Sequence, residues 1–244
     1  MAHWIVRSGC FALLALLASC ATPPPPPPTP PPPVIILPPP PPPMPEPYPP
    51  NQSAPNLIIP LTDLSGRRLT PNIDLSPEQA LWQFRIGLNV AALNCRGPDE
   101  QILIDNYSRF LTVNRTAIAR AERAVIAELG RQTGTNGIAV RDALSTRLYN
   151  YFAQPPVQQS FCPVAFNLAG LASVEPTATI LPFAQVRLPE LDQPFVDFYN
   201  AYARYKADYA LWRSLQPPPV LPAYVPPSTV QPVPVPPVTP TGGR

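Results

Sequence analysis

The sequence predicts an all-α protein: one helical bundle of about five to six helices over residues 76–215, flanked by proline-rich disordered segments. Three observations predict it. Apolar residues recur at steps of three and four through successive stretches of the middle of the chain. Helix start and stop signals bracket those stretches. The 43 prolines of the 244-residue chain gather mainly in 23–50 and 217–240, which leaves one domain of roughly 140 residues, large enough to bury a core.

The first helix starts after Ser76. Serine is a good N-cap, Pro77 suits the first helical position and Gln79 completes a capping box. Leu81, Phe84, Leu88, Ala91 and Cys95 then share a face, and Gly97-Pro98 stops the helix. A second helical stretch spans 99–129, with Ile104, Tyr107, Leu111, Ile118, Ala121 and Val125 inward. Asn114 falls on that apolar face and marks a break. The outer face carries Arg109, Arg120 and Arg123 beside Glu122 and Glu128, a mixed-charge surface whose simplest role is solvation. Gly130, Gly134 and Gly137 form the next connection. They lack the lysine, the Ser/Thr and the preceding strand of a phosphate-binding loop, so they read as a turn.

The following helix covers 139–153, with Val140, Leu144, Leu148 and Tyr151 inward. Pro155-Pro156 ends it and opens another, whose apolar side is Phe161, Ala165, Leu168 and Ala172, with a kink expected at Pro163. A linker containing Pro176 and Pro182 leads to a last helix over 194–215. Phe195, Phe198, Tyr202, Tyr205, Tyr209 and Trp212 recur there in heptad steps, a seam written in aromatics. Buried tyrosine needs a partner for its hydroxyl, so a seam with one wet edge is expected. Core packing is the simple reading. A groove for a glycan, an apolar ligand or a proline-rich segment, such as the chain's own 217–240, is the sharper one.

Residues 51–75 form an irregular lead-in, in which Leu57-Ile58-Ile59 and Leu61 are expected as an extended strip on the core. Upstream, residues 23–50 are mostly proline. Proline fixes φ and has no amide hydrogen, so polyproline II is the expected state, reaching roughly 85 Å at about 3.1 Å per residue. It reads as a spacer, with docking to an aromatic groove as the alternative. The same alternative applies to the tail, residues 216–244.

At the N-terminus, His3 and Arg7 precede an apolar run, Cys10 to Leu17, too short to span a bilayer. It ends in Leu17-Ala18-Ser19-Cys20, which resembles the lipobox of bacterial lipoproteins. The resemblance implies that residues 1–19 are a signal peptide, that Cys20 is acylated and becomes the first residue, and that residues 20–50 are lipidated cysteine plus spacer. Ala21, where an inner-membrane lipoprotein often carries aspartate, implies outer-membrane sorting, with the protein facing the periplasm. Cleavage after Ala21, giving an unlipidated secreted protein, is the alternative. Asn94-Cys95-Arg96 and Asn150-Tyr151-Phe152 resemble signatures of an uncharacterised proteobacterial helical domain, to which no activity attaches.

Loss of residues 1–19 removes His3, the one histidine. A chain without imidazole runs neither a Ser-His-Asp nor a Cys-His relay and lacks the commonest zinc ligand. Cys10 leaves with the leader and Cys20 carries lipid, so Cys95 and Cys162 are expected to form a disulfide in an oxidising compartment. With 17 Lys and Arg against 15 Asp and Glu and no block of like charge, no nucleic-acid platform is expected. No cofactor, metal or catalytic residue is expected.

The expected function is therefore that of a non-catalytic envelope lipoprotein. Its helical domain binds peptidoglycan, an envelope protein or a second copy, or serves as a scaffold. The enzyme alternative is glycan cleavage by a lone glutamate or a carboxylate pair, with Glu78, Glu100, Glu122 and Glu128 as candidates. Glu78 and Glu100 have a plainer role in first helical turns, where negative charge suits the helix dipole.

Overall fold

In a computed structural model of the protein, the described residues are 44–216. They form six α-helices: α1 (Pro77–Asn94), α2 (Glu100–Val113), α3 (Arg115–Thr133), α4 (Gly137–Phe152), α5 (Gln158–Val174) and α6 (Ile180–Ser214). Short 3-10 turns cover Pro50–Gln52 and Pro155–Val157. The fold is all-α, and among the described residues the only β pairing is an isolated bridge between Thr62 and Arg68. No helix among these residues is long and apolar enough to cross a membrane.

The Ser76 cap closes in both directions. Gln79 N–H donates to Ser76 Oγ at 3.2 Å and Ser76 N–H to Gln79 Oε1 at 3.3 Å. Ser76 Oγ in turn donates to Glu128 at 2.9 Å, joining the start of α1 to α3. Helix α1 packs against all five other helices, with α2 along α5 and α3 along α4. A helix surrounded by neighbours must be apolar nearly all round, and α1 buries Leu81, Trp82, Phe84, Ile86, Leu88 and Val90. Gly87 permits a close crossing with α6: a Cβ there would lie 2.6 Å from Leu191.

The expected break at Asn114 is where α2 ends and α3 begins. Its side chain is fully buried and donates to the Glu175 carbonyl at 3.3 Å. Cys95 and Cys162 form a disulfide with a Cα–Cα distance of 5.6 Å, clamping the end of α1 to α5. Phe161, Ala165, Leu168 and Ala172 are fully buried on α5.

Three expectations need correction. Helix α6 starts at Ile180, so the expected linker around Pro182 is helical. Pro182 stands in the first turn, where a missing N–H costs nothing. Pro189 and Pro194 lie inside the helix, and each proline in a helix interior costs about 3 kcal/mol. Burial of Ile180, Ala184, Leu188, Leu191 and Phe195 on one continuous stripe outweighs that cost. Gly130 is also helical, because α3 continues to Thr133 before Gly134 takes a left-handed φ of 66°. Gly137 opens α4 where a Cβ would overlap the Ile126 carbonyl.

The lead-in strip is the third correction. Leu57 and Ile59 pack on the core, but Ile58 is exposed, because an extended chain alternates its faces, and Leu61, although in step with Leu57 and Ile59, is exposed where the chain turns into the Thr62–Arg68 bridge. From Met44 onward the described residues fall in one compact unit. Cys20, the rest of the spacer and the tail from residue 217 lie outside the described residues.

Candidate functional site

Helix α6 carries the aromatic seam, and the structure divides it. Phe195, Phe198 and Tyr202 are core, and Tyr205 is buried at its edge. Phe195 packs on Tyr151, Phe152 and Phe161 with ring centroids 4.6–5.6 Å apart. Farther along, Tyr202, Tyr205, Tyr209 and Trp212 form a ladder with successive centroids 5.4, 5.9 and 5.5 Å apart. Tyr209 and Trp212 are half-buried, so this is the wet edge.

The chain's own lead-in lies on that edge. Trp212 Nε1–H donates to the Met44 carbonyl at 3.1 Å. Tyr202 Oη donates to the Ala54 carbonyl at 2.7 Å and accepts from Leu57 N–H at 2.8 Å. An indole N–H on the carbonyl of a proline-rich strand is a familiar way to hold polyproline II, whose carbonyls are otherwise unbonded.

A second feature of α6 escaped sequence reasoning. Asp192 sits mid-helix between Pro189 and Pro194, only 4 % exposed. Three neutral donors reach its carboxylate: Thr70 Oγ1 and Tyr151 Oη, each at 2.7 Å, and Asn72 Nδ2. Among the described residues no cation pairs with it. Burial pushes the Asp192 pKa above its ordinary value, against the pull of the three hydrogen bonds. Burial, and then the neighbouring Asp192, raise that of Tyr151 as well. Next to this cluster, Arg68 is buried and donates to Asn200 Oδ1 at 2.7 Å and to the Pro60 carbonyl at 2.6 Å, pinning the lead-in to α6.

Thr70 and Tyr151 also line an open cleft of ≈ 510 Å³, within the range of small-molecule sites. The lead-in supplies Leu69, Pro71 and Leu75; α1 supplies Gln79 and Gln83; α4 supplies Leu144 and Arg147. The helical contributions follow from spacing, since Gln79 and Gln83 are four apart on α1, and Leu144, Arg147 and Tyr151 share one face of α4. Gln83 is 1 % exposed and its Oε1 has no hydrogen-bond partner. A second cleft, ≈ 550 Å³, lies beside the disulfide. Its Arg96 is already engaged by Glu100 at 2.8 Å and the Leu93 carbonyl at 2.6 Å.

The four glutamates are scattered. Glu78 stands in the first turn of α1 and Glu100 pairs with Arg96. Glu122 pairs with Arg141 at 3.0 Å, and Glu128 accepts from Ser76 and Gln132. No group of three or more His, Cys, Asp or Glu among the described residues is placed to hold a metal. Compared with known proteins, the chain matches no family model, no curated protein and no solved structure.

Proposed function

We infer that this is a lipid-anchored cell-envelope protein. Its helical domain acts in the periplasm as a non-catalytic binding module for peptidoglycan or an envelope protein. The observation that carries the reading is Leu17-Ala18-Ser19-Cys20 at the end of a short apolar leader. Acylated cysteine with two or more chains anchors a protein stably without a membrane-spanning helix. The attachment of Met44 and Ala54–Leu57 to α6 supports the same reading, because the end of the tether is then fastened to the body it holds. The disulfide suits an oxidising compartment.

The test is fractionation of cells making the full chain or Cys20→Ser. The reading expects the parent in the outer-membrane fraction and the variant lost from it. Equal distribution of the two would overturn the anchor. Incubation of the purified chain with cell-wall sacculi tests the binding role. Retention supports peptidoglycan, and release of soluble glycan fragments would overturn the non-catalytic reading.

A further inference from the structure

Among the buried polar side chains lining the cleft above Asp192, one atom has no hydrogen-bond partner, Gln83 Oε1. The other buried polar side chains that line it are paired: Gln79 closes the α1 cap, and Thr70 and Tyr151 bond Asp192. Gln83 is almost wholly buried and its Oε1 has no hydrogen-bond partner among the described residues. A buried amide left unpaired is destabilising, and natural folds keep few of them. A ligand presenting an amide N–H would satisfy that oxygen.

The surroundings narrow the ligand further. Leu69, Pro71, Leu75 and Leu144 make the walls apolar and leave room for small aliphatic groups. Arg147 at the rim is exposed and takes part in none of the ion pairs among the described residues. A guanidinium so placed suits a carboxylate, which it binds through paired N–H donors.

We propose that this cleft binds a short peptide ending in a free carboxylate, with Gln83 reading a backbone amide, Arg147 pairing with the terminal carboxylate, and small apolar side chains against Leu69, Leu75 and Leu144. The site rests on the reading of the domain as a binding module and deepens it. It is independent of lipid attachment. Two envelope sources share this chemistry, the D-amino-acid stem peptides of the cell wall and free L-peptides.

The experiment is calorimetric titration of the full mature chain with N-acetyl-Ala-Ala in its D,D and L,L forms, each as free acid and as C-terminal amide. The expected result is saturable binding of an acid form, weakened at least about tenfold by amidation and by Arg147→Gln. Gln83→Leu is expected to abolish binding yet raise Tm, because it removes an unpaired buried amide at nearly constant volume. A purely structural Gln83 would not show that opposition. Preference for the D,D acid assigns the cell wall as source, and preference for the L,L acid assigns free peptide. Absence of binding by every form, indifference to amidation, or full binding by a folded Gln83→Leu variant each overturns the site. Retention on sacculi without peptide binding overturns the cleft alone and leaves the binding-module reading standing.

Discussion

Replacing Asp192 separates the two roles of a buried carboxylate, as hydrogen-bond acceptor and as charge. Asp192→Ala strips the acceptor from Thr70, Tyr151 and Asn72. A buried donor left unpaired costs about 1–3 kcal/mol. Three of them, less the relief of no longer burying a carboxylate, give a loss of about 3–5 kcal/mol, a large part of a domain stability of about 5–15 kcal/mol. Asp192→Asn keeps one acceptor and leaves no partner stranded: its Oδ1 takes Tyr151 and Asn72, and its Nδ2 donates to a rotated Thr70 hydroxyl. It is expected to fold with nearly parental stability.

The same pair of proteins exposes the charge through pH. Burial raises the folded-state pKa of Asp192 above the ordinary 3.8. Between the unfolded and folded pKa values the native state binds more protons than the unfolded one, so stability falls as pH rises through that window and levels off above it. The amide introduced by Asp192→Asn does not titrate. Denaturant unfolding followed by circular dichroism should therefore show parent and Asp192→Asn converging in acid, with the variant relatively more stable above the window. Parallel profiles for the two proteins, or a loss in Asp192→Asn equal to that in Asp192→Ala, would refute the assignment. Asp63 acts with the opposite sign. Its pKa is lowered to about 2, chiefly by the Ser65 hydroxyl, so its stabilisation disappears as pH falls from about 4 towards 2.

Further outcomes follow from packing. Reduction of Cys95–Cys162, or replacement of both by alanine, opens a loop of 67 residues' separation and should cost up to about 4 kcal/mol on the loop-entropy model, read as a fall in denaturant midpoint. Gly87→Ala drives a Cβ into Leu191 and should cost about 1–3 kcal/mol, whereas Gly137→Ala meets a backbone carbonyl, which has less freedom to move, and should cost more; thermal unfolding ranks the two. Trp212→Ala combined with Tyr202→Phe removes three hydrogen bonds to the lead-in. Limited proteolysis should then cut within residues 44–57 at a higher rate while α1–α5 stay protected.

The legible part of this fold was local. Ser76-Pro77-Gln79, the Gly97-Pro98 stop and the Asn114 break are read from residues close in sequence: α1 begins after Ser76 and ends at Asn94, just short of Gly97, and Asn114 separates α2 from α3. The helix-spaced apolar faces predicted the core of α1 and α5 because both face many partners. Misreadings arose where distant packing overrode local preference. Pro182 reads as linker and Pro194 as a helix start until the buried stripe from Ile180 to Phe195 is in place. Ile58 and Leu61 look like core because their composition matches Leu57 and Ile59; alternation turns Ile58 outward, and the turn into the Thr62–Arg68 bridge carries Leu61 off the core. Asp192 gave no signal because its three partners come from residues 70, 72 and 151, far apart in sequence. Gln83 was equally silent, since a polar residue on a mostly apolar helix becomes informative only when its partners can be searched for. The aromatic spacing of α6 did reveal its wet edge, but not that residues 44–57 would lie on it.

The most direct measurement is the intact mass and N-terminal fragment spectrum of the chain recovered from bacterial envelopes. The proposed anchor predicts a protein that begins at Cys20 and carries a diacylglyceryl group, with or without a third acyl chain. A mature chain beginning at Thr22, or one beginning at an unmodified Cys20, would contradict it.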